Sequence, residues 1–230
     1  MRGYVNSSEI KQIVVFGLVI LPMAVLFYEN KLNIGHITSV PLFLMLLLML
    51  ITRNIEIPIA SIRTRKPELL SQHAFVLEKI YSVPVSEELT TPKERVFDTK
   101  LTINFGGVII PLLAIIYLLV TGPITTSLEI ALIITVIAFL SSEIIDGVGI
   151  EVPDYIGLVS LPLTLLLSTG SAESVIFISS IIGIIAGCVA SLLTLDREQN
   201  GSAYISIGGV GSFRAIYIMA LIASLLSYYT

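Results

Sequence analysis

The sequence predicts an all-α fold, a polytopic transmembrane bundle of about seven helices with a cytoplasmic N-terminus. Of its 230 residues, 55% are hydrophobic and only 13% are charged, whereas an ordinary soluble domain is about 25% charged. The mean hydropathy is +0.94, and apolar residues fall in long runs, which cross a hydrocarbon core when they approach about 20 residues. So few charges cannot cover a water-facing surface. We therefore expect a lipid bilayer to surround the chain and the cell membrane to be its location.

Seven apolar runs are the candidate helices. The second is the weakest, because His36 and Pro41 leave only residues 42–51 uninterrupted, a length equally typical of a re-entrant segment. The fifth is also short, so six crossings are the alternative to seven. The runs cover residues 13–28, 34–51, 101–120, 127–140, 155–167, 175–193 and 205–228.

The distribution of Lys and Arg predicts the orientation, since basic residues in short loops stay on the cytoplasmic side. With the N-terminus inside and seven crossings, the only basic residue outside is Lys31. The cytoplasmic side then holds Arg2, Lys11, Arg197 and the basic residues of 53–100.

The chain is predicted to form one membrane domain, residues 1–230, that includes a cytoplasmic loop at 63–100. This loop mixes charge with apolar patches and is too short for a core of its own. A solvated linker is the simpler interpretation, and a docking element for a partner is the alternative.

Composition and motifs exclude several functional classes. A net charge of −4 argues against a nucleic-acid partner, which requires a concentrated basic face. Cys188 is the only cysteine, so neither a disulfide nor a cysteine-based metal site is possible within one chain. His36 and His73 fall on opposite sides of the predicted membrane, and the sequence has no phosphate loop or zinc signature. We predict no metal and no cofactor.

The first polar patch, residues 141–154, places four carboxylates at the cytoplasmic ends of the fourth and fifth helices. No basic residue lies among them, and neighbouring carboxylates at a membrane surface are typical of an acid/base pair that shares a proton. The alternative is a solvated turn that needs only polar residues. The carboxylates are Glu143, Asp146, Glu151 and Asp154.

The second polar patch, residues 206–214, is rich in glycine and opens the last helix. Backbone N–H groups at a helix start, with Arg214 one turn inside, predict an anion site. We expect Arg214 to pair with Asp146 or Glu143, since each charge would relieve the burial of the other. Close helix packing through small residues is the alternative for the glycines. The candidate binding residues are Gly208, Gly209, Gly211, Ser212 and Arg214.

A third polar helix entry contains Asn104, followed by Gly106 and Gly107. It is predicted to lie on the same cytoplasmic side, and its glycine pair would allow close approach to the last helix. Asn104 is therefore a further candidate binding residue.

Three blocks of the sequence resemble the signature blocks of an archaeal and bacterial family of integral membrane proteins, domain of unknown function 1614. They are Ile-Asn-Phe-Gly-Gly-Val-Ile-Ile-Pro at 103–111, Gly-Val-Gly-Ile-x-Val-Pro at 147–153 and Ser-Ile-Gly-Gly-Val-Gly-Ser-Phe at 206–213. In that family an acidic residue often stands where this chain has Arg214. The resemblance implies an integral membrane protein and lends no activity.

A local resemblance is to the prepilin and preflagellin aspartic peptidases. Asp146, followed by Val152, Pro153 and Asp154, reproduces the spacing from their first catalytic aspartate to the next helix. Their second aspartate stands in a G-x-G-D-x-K block, where this chain has Ser212. Since an aspartic mechanism needs two carboxylates, the resemblance implies a protease that uses Asp146 with Glu143 or Asp154, or an inactive relative that binds membrane peptides.

Three functional classes follow from the sequence. The first is a protein that binds or transports a small solute or ion in a cytoplasm-facing polar cavity, as interrupted helices do in transporters. The second is the protease-like protein, and the third is a structural membrane subunit.

Overall fold

The computed structural model describes residues 7–65, 96–122, 124–145, 148–168, 170–197, 202 and 204–228. These ranges are mostly helical and contain seven α-helices, one overlapping each predicted apolar run, so the helical prediction is confirmed for them. The helices are α1 (Ser7–Tyr28), α2 (Ser39–Ile51), α3 (Ile110–Thr121), α4 (Ile124–Ser141), α5 (Ser160–Leu167), α6 (Ala172–Leu193) and α7 (Phe213–Leu226).

Four of the predicted runs begin well before their helices do. The second starts in the loop before α2. The third starts as a strand and continues through a π-helical turn, Phe105–Ile109, before α3. The fifth starts as a 3-10 turn, Ile156–Val159, before α5. The seventh starts as a strand and a glycine-rich loop before α7.

A three-stranded sheet, which the all-α prediction lacked, lies at these helix ends. Its strands are β1 (Glu56–Arg65), β2 (Val96–Asn104) and β5 (Tyr204–Ile207), in the order β1-β2-β5. β1 and β2 are antiparallel, and β2 and β5 are parallel. Residues 101–104 and 205–207 adjoin long apolar runs, so the apolar pattern predicts helices there, although Thr102, Asn104 and Ser206 alternate with apolar residues as in a strand.

The acidic patch predicted as a turn contains a short hairpin. Its strands are β3 (Glu143–Ile145) and β4 (Gly149–Glu151), and Glu143 lies opposite Glu151. The hairpin joins α4 to the 3-10 turn before α5. Asp146 lies outside the described residues.

Helix α6 is the centre of the bundle. It packs closely against α4, since a Cβ on Gly183 would meet Ile134 and one on Gly187 would meet Ala138. Polar side chains on α6 are buried, whereas the outer helices expose large apolar ones. The buried polar residues include Ser174, Ser179, Ser180 and Ser191, and the exposed apolar residues include Val14, Leu18, Leu21, Leu44, Leu132 and Leu165.

Two helices of the described ranges, α4 and α6, are long and apolar enough to cross a membrane. The other five present apolar stretches of 10–17 residues. Most of the predicted cytoplasmic loop, 66–95, lies outside the described residues, and its flanks belong to β1 and β2.

Candidate functional site

The strands and the glycine-rich loop gather at one end of the bundle, which we call the strand end: residues 52–65, 96–109, 142–145, 148–159, 202 and 204–212. β1 follows α2 directly, and β5 reaches α7 through residues 208–212. The backbone N–H of Val152, just after β4, donates to the Gly211 carbonyl oxygen over 2.9 Å. The hairpin, the sheet and the starts of α3 and α7 therefore meet here.

The opposite end, which we call the loop end, consists of residues 29–38, the start of α6 and the end of α7. The Asn33 N–H donates to Ser227 Oγ over 3.2 Å, and the Gly35 N–H donates to Glu173 Oε1 over 3.4 Å. Lys31 Nζ lies 2.7 Å from Glu29 Oε2, and this contact raises the pKa of Lys31.

A carboxylate that sequence reasoning did not select stands at the centre of the strand end. Glu56, the first residue of β1, accepts hydrogen bonds on both oxygens. Thr102 Oγ1 donates to Oε2 over 2.8 Å, Ser206 Oγ donates to Oε2 over 2.6 Å, and Asn104 Nδ2 lies 3.0 Å from Oε1. We call these four residues the Glu56 cluster. It joins all three strands of the sheet through side chains.

Asn104 is the most enclosed member of the cluster. Its side chain is fully buried, and Nδ2 also donates to the Arg53 carbonyl oxygen over 2.5 Å. Oδ1 accepts from the Gly107 N–H over 2.7 Å and so caps the π-helical turn. The predicted binding residue Asn104 therefore lies in the site, where it links β1, β2 and the start of α3.

The glycine-rich loop packs directly on this cluster. Gly208 and Gly211 have φ values of 72° and 88°, left-handed conformations that favour glycine. A Cβ on Gly209 would overlap Ser206 Oγ and Glu56 Oε1, and one on Gly107 would overlap the Gly208 carbonyl oxygen. The close approach predicted for the glycine pair near Asn104 is thus present, and it is made to the loop before α7.

Ser212 and Arg214 lie on the other side of this loop. Ser212 is the N-cap residue of α7, and its hydroxyl is buried beside the Cys188 thiol, with no well-formed hydrogen bond within the described part of the chain. Arg214 Nη2 lies 3.5 Å from Glu151 Oε1, and Arg214 Nε lies 3.2 Å from Asp154 Oδ1 in an ion pair without hydrogen-bond geometry.

The acidic patch and the glycine patch therefore do meet, through the contacts of Arg214 with Glu151 and Asp154. Glu143, a predicted partner of Arg214, is exposed on β3 opposite Glu151. The second predicted partner, Asp146, lies outside the described residues. Arg214 pairs with Glu151 and Asp154 because β4 runs back from the hairpin and delivers both carboxylates to the start of α7. Among the candidate acids, Asp154 is thus held by an arginine.

Three members of the Glu56 cluster were missed, for identifiable reasons. Glu56 lies only five residues after an apolar run, where a charge is expected at any membrane surface. Thr102 was placed inside a helix, and Ser206 was counted only within a glycine patch. The usable signal was the alternation of Thr102 and Asn104, which puts both side chains on one face of a strand.

The described residues thus form a mostly helical protein capped at one end by a small sheet with a polar cluster. The chain belongs to the family described as protein of unknown function (DUF1614), whose model matches residues 50–226, well over half of the chain. The predicted family resemblance is confirmed, and every strand and the whole Glu56 cluster lie within the matched part. A search of curated proteins and a search of solved structures each found no significant match.

Proposed function

We propose that this chain is a multi-pass membrane protein that binds a small monovalent cation at the Glu56 cluster, on its cytoplasmic side. The observation that carries the proposal is a carboxylate on β1 that accepts hydrogen bonds from two hydroxyls and an amide on β2 and β5, at the point where two helices begin. Such helix entries, with irregular backbone beside them, are where transporters bind ions.

The polarity of the bundle supports a bilayer as its solvent. Large apolar side chains face outward from α1, α2, α4 and α5, while serines lie inside against α6. A monomer in water rarely exposes contiguous apolar surface of this extent. Helix association through serines and glycines is usual in lipid, where apolar side chains gain nothing by being buried.

The two ends of the bundle support the predicted orientation. Arg53, Arg63 and Lys100 belong to the strand end, and Lys31 belongs to the loop end. Ser227, at the C-terminal end of α7, accepts a hydrogen bond from the loop that carries Lys31. The positive-inside rule then makes the strand end cytoplasmic and the loop end external.

A reporter fused after Thr230 should therefore behave as external. The same reporter inserted at Glu78, in the predicted cytoplasmic loop, should behave as cytoplasmic. A cytoplasmic result for the first fusion would rule out seven crossings, because one crossing fewer after the loop reverses the exit side.

The chemistry of the cluster favours a monovalent cation. Glu56 supplies a single carboxylate, and the two hydroxyls can direct lone pairs at a cation while they donate to Oε2. Divalent ions usually take several carboxylates, and the described residues contain no group of three His, Cys, Asp or Glu side chains that could hold a metal. One carboxylate beside two hydroxyl oxygens is a ligand set that suits a singly charged ion.

Sodium should raise the unfolding temperature of the purified protein in detergent, compared with choline at the same chloride concentration. A ligand at 100 times its Kd stabilises by about 2.7 kcal/mol. Glu56→Gln keeps the size of the side chain and should abolish the sodium-dependent shift. Glu143→Gln, a control on an exposed carboxylate of the same end, should retain it. Equal unfolding temperatures of the wild-type protein in sodium, lithium, potassium and choline would overturn the cation assignment.

The protease-like alternative has less support. Ser212, which stands at the position of the second catalytic aspartate, is buried beside Cys188, and Asp154 faces Arg214. Cleavage of a membrane peptide that is lost on Asp146→Asn would restore this alternative.

A further inference from the structure

We propose that the first half of β1 lies in the interfacial region of the cytoplasmic leaflet, so that the sheet is anchored on the membrane surface by its own side chains. This inference rests on the proposed membrane location, and its partner is the bilayer between headgroups and acyl chains.

After Glu56, whose carboxylate belongs to the Glu56 cluster, the exposed side chains of β1 change from apolar to charged along the strand. Ile57 and Ile59 are 41% and 57% exposed, large fractions for isoleucine. Further along, Arg63 has 83% of its side chain exposed and lies 3.7 Å from Asp98. A strand rises about 3.3 Å per residue, so this gradient extends over roughly 20 Å. That is longer than the interfacial region of one leaflet, which is roughly 5–8 Å thick, so a strand that starts in this region can end in water.

The apolar half is continuous with the proposed lipid-facing surface. Ile51 ends α2 with its side chain exposed, and Ile55 follows four residues later, also exposed. Ile57 and Ile59 come next and are exposed as well, the latter at a β-bulge between Pro58 and Ala60 that interrupts the regular alternation of β1. An exposed apolar stretch that begins where a lipid-facing helix ends is most simply covered by the same lipid.

The backbone of β1 is compatible with this position. β1 is an edge of the three-stranded sheet in the described part of the chain, and Pro58 is a residue that edge strands tolerate. A free strand edge is excluded from the hydrocarbon core but not from the hydrated headgroup region. The interface therefore accommodates both the isoleucines and the unpaired backbone groups.

The natural absence of tryptophan makes a direct test possible. Ile59→Trp, Arg63→Trp and Leu132→Trp each place one tryptophan at an exposed position, the last on the outer face of α4, where Leu132 is 68% exposed. Each variant is reconstituted in phosphatidylcholine vesicles, plain or brominated near the headgroup or near the chain terminus. Bromine quenches tryptophan only on close contact.

Leu132→Trp reports on the membrane location itself, and Ile59→Trp reports on the strand. We expect strong quenching at position 132, quenching at position 59 mainly by bromine near the headgroup, and none at position 63. Quenching at 132 without quenching at 59 would overturn the interfacial strand and leave the membrane protein intact. Equal quenching at 59 and 63 would also overturn it, because the gradient along β1 would be absent. No quenching at 132 would overturn the proposed function.

Discussion

Gly107→Ala should lower the free energy of unfolding by about 3 kcal/mol, the upper range for overpacking. The added Cβ would overlap the Gly208 carbonyl oxygen and lie 2.8 Å from the Gly208 carbonyl carbon. Both are backbone atoms of a loop in a left-handed conformation, so no side chain can rotate away. The clash would strain the backbone where α3 and α7 begin. The measurement is denaturant unfolding in detergent, or the yield of monodisperse protein if the variant does not fold.

Gly17→Ala is the matched control. Gly17 lies inside α1, and a Cβ there would meet nothing within 4 Å. In a helix interior, alanine is about 1 kcal/mol more favourable than glycine. The free energy of unfolding of this variant should therefore equal or slightly exceed that of the wild-type protein. Similar losses in the two variants would show that the contact between the glycine pair and the loop does not determine stability.

The helices were predictable because their signal is local. A long run of apolar residues is visible in a short window of the sequence, and every described helix overlaps such a run. The sheet was not predictable in the same way. Residues 101–104 and 205–207 adjoin long apolar runs that predict helices, and their pairing joins segments about a hundred positions apart in the chain.

The same difference between local and long-range signals applies to the residues of the candidate site. Asn104 and the glycines near Ser206 were selected because they interrupt apolar runs, and the structure brings them together. Glu56 was not selected, since its contact with Ser206 spans 150 positions and nothing near Glu56 in the sequence marks it. The partners of Arg214 depended on the hairpin β3–β4, which reverses the chain and carries Glu151 to α7.

Asn104→Asp should be among the most damaging single changes at the strand end. The new carboxylate can still accept the hydrogen bond from the Gly107 N–H. The amide Nδ2 is gone, however, and with it the hydrogen bonds to the Arg53 carbonyl oxygen and to Glu56 Oε1. A second carboxylate would then stand about 3 Å from the first in a buried position. Breaking a buried charged contact costs about 3–5 kcal/mol, and we expect a loss in that range by thermal or denaturant unfolding.

The contact between Glu56 and residue 104 also predicts that a second substitution restores part of the lost stability. Adding Glu56→Gln to Asn104→Asp exchanges the two groups, because the glutamine amide now donates to the carboxylate at position 104. The double variant should recover at least about 1 kcal/mol relative to Asn104→Asp, although the Arg53 carbonyl oxygen still lacks its donor. Two variants in contact are non-additive, whereas distant ones add. Purely additive losses would mean that Glu56 and Asn104 do not touch in the folded protein, and the cluster proposed to hold a cation would lose its geometric basis.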